Sequence, residues 1–340
     1  MTDLCERDDL VMKIVILDSD TVSTGDISFS GLARYGEVKR YGLTEAERVC
    51  ERTRDADIIL CNKTVITREV MENAQKLKYI GLFATGFNNI DLECARERGI
   101  AVCNVPAYST EGVVQLTYAF ILEFYCNLSA YRKHVDDGNW KKSATFSFFP
   151  FPIGSLSGKT MGIIGYGSIG KRSAQLANAF GMKVLVYTRT PKEDSTVEFV
   201  DFDTLLGESD IVSVHCPLNA QSTGMMNAEA FSKMKDGALF INTSRGPIVD
   251  EYALKDALLS GKLMGAGLDV LCTEPMAEDC PLYGIDNCII TPHVGWAGLE
   301  TRQRLMTVVE SNIEVFLGGG RQNRVELHIM PKNSISFFSQ

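Results

Sequence analysis

A chain of 340 residues exceeds what one hydrophobic core usually holds and points to two domains. With 45% hydrophobic and 23% charged residues it reads as a globular protein, and its net charge of −9 argues against a nucleic-acid groove or an anionic membrane surface as partner. The acidic opening MTDLCERDDL lacks the apolar core of a signal peptide, no run reaches the length of a membrane span, and the ten cysteines show no zinc-type spacing, so the expectation is a reduced, cytoplasmic protein without a metal.

Residues 1–11 read as a ragged extension, and strand-like sequence begins at 12–18. Strand signals follow at 36–40, 56–61, 79–83 and 100–104, separated by helical stretches at 44–54, 67–73 and 91–98. Such alternation implies a parallel sheet covered by helices. Ser109-Thr110-Glu111 caps a long helical segment reaching about Leu128, apolar on most faces as suits a helix buried between two domains. Residues 129–159 read as loop. Within them FSFFPFP (146–152) sets four phenylalanines among prolines that forbid a regular central strand. Phenylalanines on a loop are unfavourable in water, so they cover a cleft, a partner subunit or their own domain.

The stretch 160–190, TMGIIGYGSIGKRSAQLANAFGMKVLVYTRT, organises the second half. An apolar run meets Gly165, Gly167 and Gly170 in G-x-G-x-x-G spacing, then a helical segment to about Phe180, then a second apolar run. Strand, glycine turn, helix and strand form the unit that binds a dinucleotide. Gly165 serves the tight turn, Gly167 the approach of backbone to a pyrophosphate, and Gly170 the close seating of helix on strand. The helix N-terminus offers free N–H groups to the phosphates. Further strands at 211–215, 238–243, 265–269 and 288–291 bring the second sheet to six parallel strands, a doubly wound α/β arrangement. A helix at 299–316 ends at Gly318-Gly319-Gly320, and the tail 321–340 is expected to pack back on the first domain with a poorly ordered end.

In such units an Asp or Glu at the end of the second strand takes the adenosine 2′-hydroxyl of NAD. Here that strand ends in Thr188-Arg189-Thr190, and no carboxylate occurs until Glu193. A cation and two hydroxyls suit a 2′-phosphate, so NADP is expected over NAD. Chemistry-bearing residues also follow other strand ends, where α/β ligands bind. His293 lies in TPHVGW, Arg245 in NTSRG, and Asp269 leads on to Glu274 in LDVLCTEP. Arg can clamp a carboxylate, His can protonate a ketone oxygen as hydride arrives, and Glu can orient that imidazole. Together they suit reduction of a 2-oxo acid. Of the other histidines, His215 reads as structural beside the adenosine or pyrophosphate, and His134 and His328 as surface residues.

The runs GIIGYGSIGKRSA, NTSRGPIVDE, GLDVLCTEP and TPHVGWAGLETRQRL resemble the D-isomer-specific 2-hydroxyacid dehydrogenase family over residues 12 to 326. LFATGFNNIDLECARERGIAVCNVPAYST and the Trp296 after His293 are most similar to its glycerate dehydrogenase, or hydroxypyruvate reductase, branch. The resemblance implies Arg245, Glu274 and His293 as the catalytic residues, with Asp269 in support. It implies that Ala84, Thr85 and Gly86 offer backbone N–H groups to the substrate carboxylate, with Trp296 a candidate pocket wall. It implies that Thr85, Ser168, Ile169, Cys216, Pro217, Thr243, Ser244, Asp269 and Gly295 line the cofactor. It further implies a Rossmann cofactor domain at 109–296, a discontinuous flavodoxin-like substrate domain at 1–108 and 297–340, a cleft between them, and a homodimer. In some relatives a loop of the neighbouring subunit reaches the active site, and FSFFPFP is the candidate here. Hydroxypyruvate or glyoxylate is then the expected substrate. A nucleotide-sensing corepressor-like protein and a phosphoglycerate dehydrogenase are the alternatives; the full Arg–Glu–His set speaks against the first, and the lack of a basic cluster against the second.

Overall fold

A computed structural model describes residues 11–190 and 193–328. The chain divides into two compact units, Met1–Tyr108 with Ala297–Gln340 and Ser109–Trp296.

In the first unit β1 (Lys13–Ile16), β2 (Glu37–Arg40), β3 (Ile58–Cys61), β4 (Tyr79–Leu82) and β5 (Ala101–Cys103) form one parallel sheet in the order β2-β1-β3-β4-β5. This is the flavodoxin-like order. β3 and β4 are buried along their whole length, as an apolar run in a doubly covered sheet requires. The helices α1 (Val49–Thr53), α2 (Arg68–Asn73) and α3 (Leu92–Glu97) alternate with these strands. Two of them start on side-chain caps: Thr67 accepts from Val70 N, and Asp91 from Cys94 N. The tail returns to this unit. Val325 packs into its core and donates from N to Val102 O, while Val102 N donates to Glu326. Residues 1–10 and the end of the tail lie outside the described residues.

The second unit begins with α4 (Thr110–Cys126) and α5 (Leu128–Asp136). It continues through β6 (Thr160–Ile164), α6 (Ser168–Ala179), β7 (Lys183–Tyr187), β8 (Glu198–Phe199), α7 (Phe202–Glu208), β9 (Ile211–Val214), α8 (Ala228–Lys233), β10 (Ala238–Asn242), α9 (Glu251–Leu259), β11 (Leu263–Leu268) and β12 (Cys288–Ile290). Its parallel sheet runs β12-β11-β10-β9-β6-β7-β8. From β6 outward this is the doubly wound dinucleotide order, with one strand added at the edge. Three local expectations are corrected. Residues 129–136 are helix, not loop; Asn127 takes a left-handed conformation (φ 51°) and ends the long apolar segment, and the short α5 that follows buries no residue. β8 adds a seventh strand, two residues long and too short to show alternation. Ser109 precedes α4, but its side chain makes no capping bond.

The strands of the second sheet finish in register. Tyr187, Ile164, Val214, Asn242, Leu268 and Ile290 are successive Cα partners across the sheet, and each is the last residue of its strand. The loops leaving this edge therefore start side by side.

Candidate active site

The first of these loops is the glycine turn. Gly165 has a φ of +98°, and a Cβ there would lie 2.6 Å from Cys216 N, so only glycine fits on both counts. A Cβ on Gly170 would meet Gly165 O at 2.1 Å, which is how closely α6 sits on the turn. At Gly167 the space a Cβ would take is open. The first turn of α6 carries no acidic residue and no side-chain cap, leaving its N–H groups for an anion. A cavity of about 180 Å³ adjoins it, lined by Tyr166, Gly167, Ser168, Lys171, Glu193 and Asp194. The turn thus has the open cradle that a dinucleotide's phosphates need.

Around the cradle, Arg189 is exposed beyond β7 and donates to Gln221 Oε1 at 3.4 Å; Thr188 is half-buried and Thr190 exposed. Tyr166, Lys171 and Asp194 received no role from the sequence. Asp194 accepts from Thr196 N at 3.0 Å, from Thr196 Oγ1 at 2.5 Å and from Tyr166 Oη at 2.8 Å. The Thr196 bonds, then that from Tyr166, hold its carboxyl down at about 2. That clamp is invisible in sequence because it joins segments 28 residues apart. His215 is tied to Ser213 Oγ (3.0 Å) and Ser173 Oγ (3.2 Å) through Nε2, linking β9 to α6. Burial pushes its pKa down to about 4. Ser244 Oγ donates to Cys216 O, Pro217 O accepts from Ser222 Oγ, and Ile169 packs on the core. The Thr243 hydroxyl is turned inward to Thr117, at 3.2 Å.

At the other end of the edge, Asp269 organises the turn after β12. It is 2% exposed, and its carboxylate accepts from Thr291 Oγ1 (2.6 Å), Val294 N (2.8 Å) and Gly295 N (2.8 Å). With both oxygens accepting from this segment, Asp269 holds the turn in place. The turn holds His293 in the left-handed region, at φ 54°, which a non-glycine residue adopts only where surroundings enforce it. His293 Nδ1 lies 2.7 Å from Glu274 Oε2, while Glu274 Oε1 accepts from Leu271 N at 3.1 Å. A carboxylate accepts only, so Nδ1 carries the hydrogen and Nε2 is left for a substrate.

Arg245 is exposed, and its Nη1 donates to Ser244 O at 2.6 Å. Its loop abuts that of Glu274: a Cβ on Gly246 would lie 1.9 Å from Leu271 C. The geometry thus pairs His293 with Glu274 and sets the Arg245 loop against that of Glu274. Trp296 is half-buried at the end of the unit. In the first unit, Thr85 Oγ1 donates to Val105 O at 2.7 Å, Thr85 O accepts from Asn104 Nδ2 at 2.7 Å, and Ala84 O accepts from Val105 N at 2.9 Å. These bonds fix the Ala84-Thr85-Gly86 loop by its carbonyls and hydroxyl.

A glycine-turn Rossmann sheet with a carboxylate-paired histidine at the same edge defines a dinucleotide-dependent α/β oxidoreductase. Residues 118–295 match the family model described as "D-isomer specific 2-hydroxyacid dehydrogenase, NAD binding domain". The chain is 44% identical to a hydroxypyruvate reductase of Blautia hydrogenotrophica over 92% of its length and 99% of the relative's. It is 36% identical to a glycerate dehydrogenase of Methylorubrum extorquens, over 93% and 100%. Among solved structures, the TT0316 protein of Thermus thermophilus superposes with a TM-score of 0.82 at 35% identity, covering 92% and 99%. An acyclic imino acid reductase in complex with NADPH and D-Arg gives 0.80 at 30% identity, covering 92% and 100%. A D-lactate dehydrogenase of Aquifex aeolicus complexed with NAD and lactic acid gives 0.78 at 32%, covering 90% and 96%. The chain belongs to the D-isomer-specific 2-hydroxyacid dehydrogenase family, in its glycerate dehydrogenase and hydroxypyruvate reductase branch, and its cofactor is a nicotinamide dinucleotide.

Proposed function

We propose that the protein reduces a small 2-oxo acid, hydroxypyruvate or glyoxylate, to the D-2-hydroxy acid, with NADPH as the preferred reductant. The observation that carries this reading is the His293–Glu274 pair at 2.7 Å, on a turn fixed by Asp269 and beside the loop of Arg245. When bound, the cofactor supplies the hydride. Arg245 binds the substrate carboxylate and orients the ketone. His293 gives the proton on Nε2 to the ketone oxygen, and Glu274 stabilises the imidazolium that precedes that transfer. Gly165, Gly167, Ser168 and the first turn of α6 would hold the pyrophosphate.

The NADPH preference rests on charge. Lys171 in the cavity and Arg189 beyond β7 would favour a 2′-phosphate, against the carboxylates of Glu193 and Asp194, and Asp194 is held towards Tyr166 and Thr196. The working form is a homodimer. Phe146 is 93% exposed and Phe149 75%, with exposed Trp140 bonded to the Phe146 carbonyl, apolar surface that a second copy would cover. All nine cysteines among the described residues are free, in keeping with a cytoplasmic setting.

A panel of 2-oxo acids assayed with NADPH and with NADH tests the reading. Turnover of hydroxypyruvate or glyoxylate with a higher kcat/KM for NADPH is expected. Failure to oxidise either cofactor with any 2-oxo acid contradicts the activity, and a preference for NADH of about tenfold or more contradicts the cofactor choice.

A further inference from the structure

We infer that Asn242 is the positioning residue for Arg245, an inference that rests on the substrate-binding role proposed for that arginine. β10 reads Ala-Leu-Phe-Ile-Asn and is buried throughout. Asn242 is 1% exposed at its end. An apolar side chain would continue the run, and a buried amide is unfavourable unless its polar atoms are bonded. Both of its polar atoms serve one short segment. Oδ1 accepts from Ser244 N at 3.0 Å, and Nδ2 donates to Arg245 O at 3.0 Å. The amide therefore closes a turn around Thr243 and Ser244 and fixes the backbone from which the guanidinium projects.

The same residue ties that turn to the neighbouring loop. Asn242 O accepts from Asp269 N at 3.0 Å, and Asp269 holds the turn bearing His293. The side chain of Asn242 thus sets the arginine while its backbone meets the residue that sets the histidine. The Arg245 side chain has little else to hold it, since its bond to Ser244 O falls within the segment that Asn242 clamps.

Asn242→Asp keeps the acceptor and removes the donor to Arg245 O. The expected result is a KM for hydroxypyruvate raised about tenfold or more, the fold-change of one lost hydrogen bond to a buried group. kcat should change less than KM, and the Kd for NADPH, read by fluorescence without substrate, should stay within about twofold. In an Arg245→Ala background the same change should add no more than about twofold to KM, because Asn242 acts through that arginine. Asn242→Thr carries the test should the buried carboxylate prevent folding. Additive effects of the two substitutions, or KM and the Kd for NADPH rising together, overturn the inference while leaving the role of Arg245 standing. An unchanged KM in Arg245→Ala overturns the role of Arg245 and this inference with it.

Discussion

Asp269 shows how a single buried charge places a reactive side chain. Its three donors surround the turn at His293, and removing the carboxylate strands Val294 N and Gly295 N without partners. Each unsatisfied buried donor costs about 1–3 kcal/mol, so Asp269→Ala should lower Tm and reduce kcat while leaving NADPH affinity nearly unchanged. Calorimetry and steady-state rates on that variant check it, and an unaltered kcat would show that the turn holds without the carboxylate. His215 gives a pH dependence. Its pKa falls to about 4 in the folded chain, below the ~6.5 of an unfolded histidine, so between those values the unfolded state binds more protons and stability declines as pH falls. From pH 7 to 5 this group alone contributes a loss of about 2 kcal/mol. Denaturant titrations of wild type and His215→Asn at both pH values should differ by that amount, and parallel pH profiles would refute it. Motif type and spacing singled out His293, Glu274 and Arg245 in the sequence, and the fold pairs the first two beside the loop of the third. Asp194 was not singled out, because its partner Tyr166 is joined to it only by the fold.

At the level of elements, the strand ends in common register turn separate motifs into one edge. Six strands stop on the same row, so the loops that carry Gly165, Arg245, Glu274 and His293 leave one edge of the sheet. The close fit of those loops makes Gly246 sensitive. A methyl group there would strike Leu271 backbone at 1.9 Å, and backbone cannot step aside as a flexible side chain can. Gly246→Ala should cost about 1–3 kcal/mol of stability and raise KM for the 2-oxo acid, read by thermal melts and kinetics. A variant of normal Tm and KM would mean that the two loops move independently. The strands that carry this edge were legible because buried parallel strands are continuous apolar runs. α5 and β8 were not: the first buries no residue, and the second is two residues long.

For the whole molecule, the exposed aromatic residues at 140–153 bear on assembly. Phe148 stacks on His134 at 5.2 Å, and Trp140 Nε1 donates to Phe146 O, so this segment is folded onto its own unit and still presents Phe146 and Phe149 to water. Sedimentation should give twice the chain mass of 37.5 kDa, and Phe146→Ser with Phe149→Ser should shift the population towards monomer. A wild-type monomer at micromolar concentration would leave that patch without its proposed cover. Central to the proposed function is proton delivery by His293, and turnover of hydroxypyruvate at saturating NADPH in His293→Gln measures it most directly. The expected result is a kcat lowered about 100-fold or more, with the Kd for NADPH unchanged; turnover close to wild type would contradict the role given to this histidine.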